Sequence, residues 1–149
     1  MRRFLRLPTC VAAIALAVAA TISAPASAQK WPKAEIDAYA RSFAGKTYVM
    51  SLGGLGNTLV YAAPDGRAYV VRAFDKAVVP GSWEISYSMS NRSLIACVRR
   101  SSVKQCATQA LMAQSPSRRG DVFALSQRRA LNRVLSINFD LAEAARAAR

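Results

Sequence analysis

Cys97 and Cys106 stand nine positions apart, and the stretch between them holds Arg99, Arg100 and Lys104. Thiols so placed could bind a metal, exchange electrons or form a covalent staple. Zinc takes four ligands of Cys, His or carboxylate type. The chain has no histidine, and Glu84 is the only acid between Asp75 and Asp121. Dithiol exchange centres use a C-x-x-C spacing, which is absent. The three cations would lower a thiol pKa, but the flanks favour a staple. Leu94-Ile95-Ala96-Cys97-Val98 and Cys106-Ala107-Thr108-Gln109-Ala110-Leu111-Met112 both read as strands, joined by the polar residues 99–105. Antiparallel pairing then sets Cys97 opposite Cys106. A disulfide closing so short a loop stabilises by about 2–3 kcal/mol in the loop-entropy view.

Other groupings do not assemble a catalyst. Gly53-Gly54-Leu55-Gly56-Asn57 lacks the Lys-Ser/Thr and the helical run of a phosphate loop and reads as a glycine bulge in a bending strand. Ser101-Ser102-Val103-Lys104 matches a serine–x–x–lysine pattern, without its companion motifs or helical scaffold. Without histidine there is no Ser-His-Asp triad. A carboxylate pair for glycoside cleavage would have to come from Asp65, Asp75, Glu84 and Asp121. Asp65 and Asp121 are accounted for as turn residues, and Glu84 points away from the Trp83 face. Trp83, Tyr61, Tyr69, Tyr87 and Phe123 would line or fill a small barrel. The expectation is therefore no enzyme, no cofactor and no metal.

The elements that must position these residues are mostly short strands. Residues 29–45 form an amphipathic helix with Pro32 in its first turn, Gly45 beyond its end, and Ile36, Tyr39, Ala40 and Phe43 on one stripe. A period of two follows over 46–52, 57–63 and 68–74, with Pro64-Asp65-Gly66-Arg67 as a strong turn. Residues 75–82 read as a loop. Trp83, Ile85, Tyr87 and Met89 alternate along the next strand, and Ser90-Asn91-Arg92-Ser93 turns the chain into the cysteine strands. Strands are also expected over 121–126 and 131–139. Asp140-Leu141-Ala142-Glu143 has capping-box spacing and opens a helical tail, 140–149. Strands about ten residues apart define a mainly β fold, an antiparallel barrel or sandwich built as a meander over 46–139.

The start of the chain sets compartment. Arg2, Arg3 and Arg6 precede an apolar run from Cys10 to Ile22, and Ala26-Ser27-Ala28 is an A-x-A cleavage site. That is the order of a secretory signal peptide, 1–28. Its apolar run is shorter than the roughly 20 residues of a membrane span. The short, alanine-rich leader points to a bacterium and to the periplasm or beyond. Residues 29–149 would be one domain with no transmembrane segment. Three leader arginines taken from 21 cations leave 18 against eight acids, a net charge of +10. Such an excess attracts anionic surfaces without determining the fold. In that compartment the polyanions are envelope lipids and acidic proteins, not nucleic acid. In an up-and-down meander Arg99, Arg100 and Lys104 share one end of the sheet with Arg128 and Arg129, while Arg118 and Arg119 occupy the other. The first five are the candidate anion-binding residues.

Tyr61-Ala62-Ala63-Pro64-Asp65-Gly66-Arg67, Gly81-Ser82-Trp83, the Cys97 and Cys106 pair and Gly120-Asp121-Val122-Phe123 together resemble a family of small exported alphaproteobacterial proteins of unknown function. The resemblance spans roughly residues 60–126. It implies a lipocalin-like β fold with a turn, a buried tryptophan and a cysteine pair, and no activity. The functional expectation is a periplasmic binding or interaction module that contacts an anionic envelope component through basic loops. The alternatives are an inhibitor of an envelope hydrolase and an enzyme of unrecognised type.

Overall fold

The computed structural model describes residues 32–51 and 56–149. The signal peptide expected at 1–28, and Gly53 and Gly54 of the expected bulge, lie outside them. Helix α1 (Lys33–Phe43) leads into β1 (Lys46–Ser51), β2 (Asn57–Ala62), β3 (Arg67–Arg72), β4 (Val79–Ser88), β5 (Ser93–Arg100) and β6 (Val103–Thr108). Helix α2 (Gln109–Gln114) then carries the chain to β7 (Ser117–Arg119), and α3 (Leu141–Ala148) ends it. The fold is mainly β. All pairings are antiparallel, in the order β6-β5-β4-β3-β2-β1-β7. The sheet curls into a half-barrel whose two edges, β6 and β7, do not meet.

Chain turns set the register. In Pro64-Asp65-Gly66-Arg67, Gly66 takes φ +86°, and the Asp65 carboxylate accepts the Arg67 backbone N–H at 3.1 Å and its Nε at 2.6 Å. That turn and Gly81-Ser82-Trp83 touch each other. Trp83 donates its backbone N–H to Gly66 at 2.9 Å and its indole N–H to the Ala63 carbonyl at 2.8 Å. Strand β4 pairs with β3 over 79–82 and with β5 over 82–88. At the handover a Cβ on Gly81 would fall 2.1 Å from the Arg99 carbonyl oxygen, so only glycine lets β5 cross so closely.

Both faces of β1–β3 are buried. On the concave face Phe43, Tyr48, Met50, Val60, Val70, Val98 and Met112 pack together, with α1 and α2 filling the curl. Phe43 stacks on Tyr48 at 4.6 Å and tilts against Trp83 at 5.2 Å. On the convex face Val49, Leu59 and Val71 meet Phe123, Leu125, Leu131, Leu135, Phe139 and Ala144 from the C-terminal third. The aromatics expected to share one interior are split between the faces. Trp83 lies with the concave cluster, whereas Tyr61 and Tyr69, stacked at 6.2 Å, and Phe123 lie on the convex side.

The larger departures from expectation have local physical causes. The strand expected over 106–112 ends at Thr108, whose hydroxyl accepts the Leu111 N–H and caps α2. Strand β4 begins at Val79 and includes Pro80, read as loop. The missing proline N–H costs no ladder bond, because by alternation it faces away from β3, before β5 begins pairing at Ser82. Residues 121–126 are not a strand. The Asp121 carboxylate accepts the N–H groups of Leu125 and Ser126 at 2.7 and 2.8 Å, which folds the chain into a 3-10 turn. Residues 131–139 form no strand either. Leu131, Leu135 and Phe139 recur every four residues and bury inward, so the segment lies on the sheet as a cover.

Candidate functional site

The cysteines occupy their expected place. Cys97 pairs with Cys106 across β5 and β6, and the two are joined in a disulfide with a Cα separation of 4.0 Å. Arg100 opposes Val103, leaving Ser101 and Ser102 as a two-residue turn. Ser101 takes φ +51°, as the first position of such hairpin turns requires.

Strand β4 brings the two expected cationic groups to one edge. Trp83 donates towards β3, so by alternation Val78 donates to the opposite side, and its partner is the Arg129 carbonyl at 2.8 Å. Four residues further along the same edge, Ser82 pairs with Arg99. The hairpin tip and residue 129 therefore follow one another along β4. Arg118 and Arg119, expected at the other end, pair with Thr47 and Lys46; Lys46 shares a cross-strand row with Ala62, Ala68 and Gly81, so the two arginines sit at the far edge of the sheet, level with the hairpin tip.

The five candidate cations are not equivalent. Lys104 is paired with Glu84. The Lys104 hydrogen bond, reinforced by the charges of Lys104 and Arg99, holds the Glu84 carboxyl below its usual range despite some desolvation. Arg128 is half-buried, and its Nη1 donates to the Ala148 carbonyl at 2.8 Å near the C-terminal end of α3, where a cation is favoured. Arg99 and Arg129 are exposed and Arg100 half-exposed. Among the described residues none of these three is in an ion pair.

The carboxylates are largely taken up by the fold. Among the described residues the only ion pairs are Lys33–Asp37, Arg67–Asp65 and Lys104–Glu84. Asp75 accepts from the Lys76 and Ala77 amides at 2.7 and 2.9 Å. Asp121 caps the 3-10 turn, Asp140 caps α3, and Glu143 binds the amide and hydroxyl of Ser136 at 2.6 and 2.7 Å. Those bonds hold the Glu143 carboxyl below its usual range, the backbone amide first.

Beyond the end of β3, next to the segment that carries Arg129, lies a group of residues without charge. Phe74, just past β3, is 69% exposed and sits at φ +61°. Its N–H donates to Leu135 at 2.8 Å, and the Lys76 carbonyl accepts from Leu131 at 2.7 Å, which docks 74–76 against 131–135. Val134 and Ile137 of that cover are 55% and 44% exposed. Exposed Lys76, Arg129 and Arg133 surround them, with Arg72 at the end of β3. Two signals could have pointed here. Arg72-Ala73-Phe74-Asp75-Lys76 places an aromatic between charges at a strand end. Val134 and Ile137 also fall out of step with the spacing of Leu131, Leu135 and Phe139.

The β7 edge of the sheet holds two basic clefts. One, of about 410 Å³, has Arg118, Arg146 and Arg149 around Phe123 and Leu141. The other, of about 460 Å³, has Arg41, Lys46 and Arg119. Among the described residues no group of three or more Cys, His, Asp or Glu could hold a metal, and no helix is long and apolar enough to cross a membrane. No family model, curated protein or solved structure matches the chain.

Proposed function

We propose that this chain is a non-enzymatic binding module of the bacterial envelope, exported through its leader, that engages a surface of anionic phospholipid. Anionic lipid head groups are among the polyanions of that compartment, and they attract exposed Lys and Arg. The observation that carries the reading is the imbalance of pairing. Among the described residues the carboxylates other than Glu35 are bound to backbone amides or to three cations, while Arg99, Arg100 and Arg129 along one edge of β4 have no ion-pair partner. Charges left unpaired cost little in water and gain by meeting an anionic surface.

The test is co-sedimentation with vesicles of phosphatidylcholine, with and without phosphatidylglycerol. Binding is expected only with phosphatidylglycerol, and it should weaken steeply with salt, because exposed charges are screened over about 8–10 Å. Each of Arg100→Gln and Arg129→Gln should weaken binding about fivefold, from roughly 1 kcal/mol per cation at such a surface. Lys104→Gln and Arg128→Gln should matter less, since both side chains are already engaged. Binding that ignores salt, or no binding to either vesicle, contradicts the proposal.

A further inference from the structure

We infer that the cover segment that follows Arg129 inserts an apolar tip, formed with Phe74 by Val134 and Ile137, into the acyl boundary of an anionic bilayer. The inference rests on the proposed lipid binding and adds to it the residues that leave water. Phe74 is unfavourable twice over in the free protein. It exposes an aromatic ring, and it holds a bulky residue in left-handed backbone at φ +61°, a region that favours glycine or asparagine. Strain of this kind persists where the surroundings enforce it, and it gathers at binding and switch regions. Here the enforcing contacts are the Phe74–Leu135 hydrogen bond at 2.8 Å and the Leu131–Lys76 hydrogen bond at 2.7 Å. They fix Phe74 beside Val134, so the tip is assembled from two segments far apart in the chain.

Charge selects the occupant. Lys76, Arg129 and Arg133 are exposed around the tip, and Arg72 closes β3 beneath it. The acids near them are withdrawn. Asp75 is bonded to two backbone amides and Glu143 to Ser136. A protein partner would need a large acidic face with an apolar centre. An anionic bilayer offers both layers by construction, phosphate outside and hydrocarbon beneath, and interfacial proteins combine apolar burial with basic flanks in this way.

The experiment uses the intact protein with phosphatidylglycerol-containing vesicles and two variants. Phe74→Trp is read as a difference spectrum against the wild type, which carries Trp31 and Trp83. The added tryptophan should shift to the blue on binding and be quenched by brominated acyl chains. Phe74→Gly should weaken vesicle binding about ten- to a hundredfold, the range for losing a buried Phe side chain. Its thermal midpoint should hold or rise, because glycine relieves the backbone strain. Vesicle binding by the wild type with residue 74 still in water overturns the insertion and leaves the electrostatic reading standing. Loss of stability in parallel with loss of binding for Phe74→Gly also overturns it. Failure of the wild type to bind removes both.

Discussion

Strands β1–β3 and β4–β6 belong to one sheet, yet they are held by different means. In β1 four consecutive residues, Thr47 to Met50, are buried, because α1 covers one face and the C-terminal third the other. Strand β4 has no fully buried residue and β6 has only Ala107, although β5 between them buries Leu94 and Ala96 to Val98. The far half carries the disulfide. Apolar burial on two faces holds a strand without further help, whereas a hairpin covered on one face gains most from a covalent link that restricts its unfolded state.

Three expectations sharpen or break this contrast. Phe139, 1% exposed, fills the convex core, and Phe139→Ala should cost about 3–5 kcal/mol in urea unfolding. Replacing Cys97 and Cys106 together by alanine should cost about 2–3 kcal/mol. A larger loss from the cysteine pair than from Phe139 would mean that the stapled half, not the doubly covered half, dominates stability. The smallest effect belongs to the Lys104–Glu84 pair beside the bridge, since both partners are well exposed. Glu84→Gln should cost below about 1 kcal/mol at neutral pH. The folded carboxyl lies below its ordinary value of 4.5, so the pair contributes fully above that pH. Its contribution fades as pH falls through the folded value. Stability curves of wild type and Glu84→Gln should therefore converge in acid. Curves that stay parallel would remove the ion pair from the account of this corner.

Legibility in the sequence followed the range of the forces involved. Strands β1–β3, the Pro64-Asp65-Gly66-Arg67 turn, both terminal helices and the cysteine pairing rest on local chemistry and were readable. The cover was not. Leu131, Leu135 and Phe139 have no ladder of their own; they are placed by bonds to distant strands, such as Asn57 Nδ2 to the Phe139 carbonyl at 2.8 Å. The unbroken apolar run Tyr48-Val49-Met50 was the available sign that both faces of β1 are buried. At the candidate site, Arg99, Arg100 and Arg129 were legible as charges. The engagement of Arg128 with α3 depends on a tertiary contact that no local pattern encodes, whereas Phe74 between charges at a strand end was a local sign left unused.

Amide hydrogen exchange with and without phosphatidylglycerol vesicles tests the binding region most directly, because it reports on the cover and on the β7 edge at once. Protection is expected at residues 73–77 and 129–137, with residues 46–48 and 117–119 unchanged. Protection centred on Arg118 and Arg119, or none in either region, would contradict the assignment.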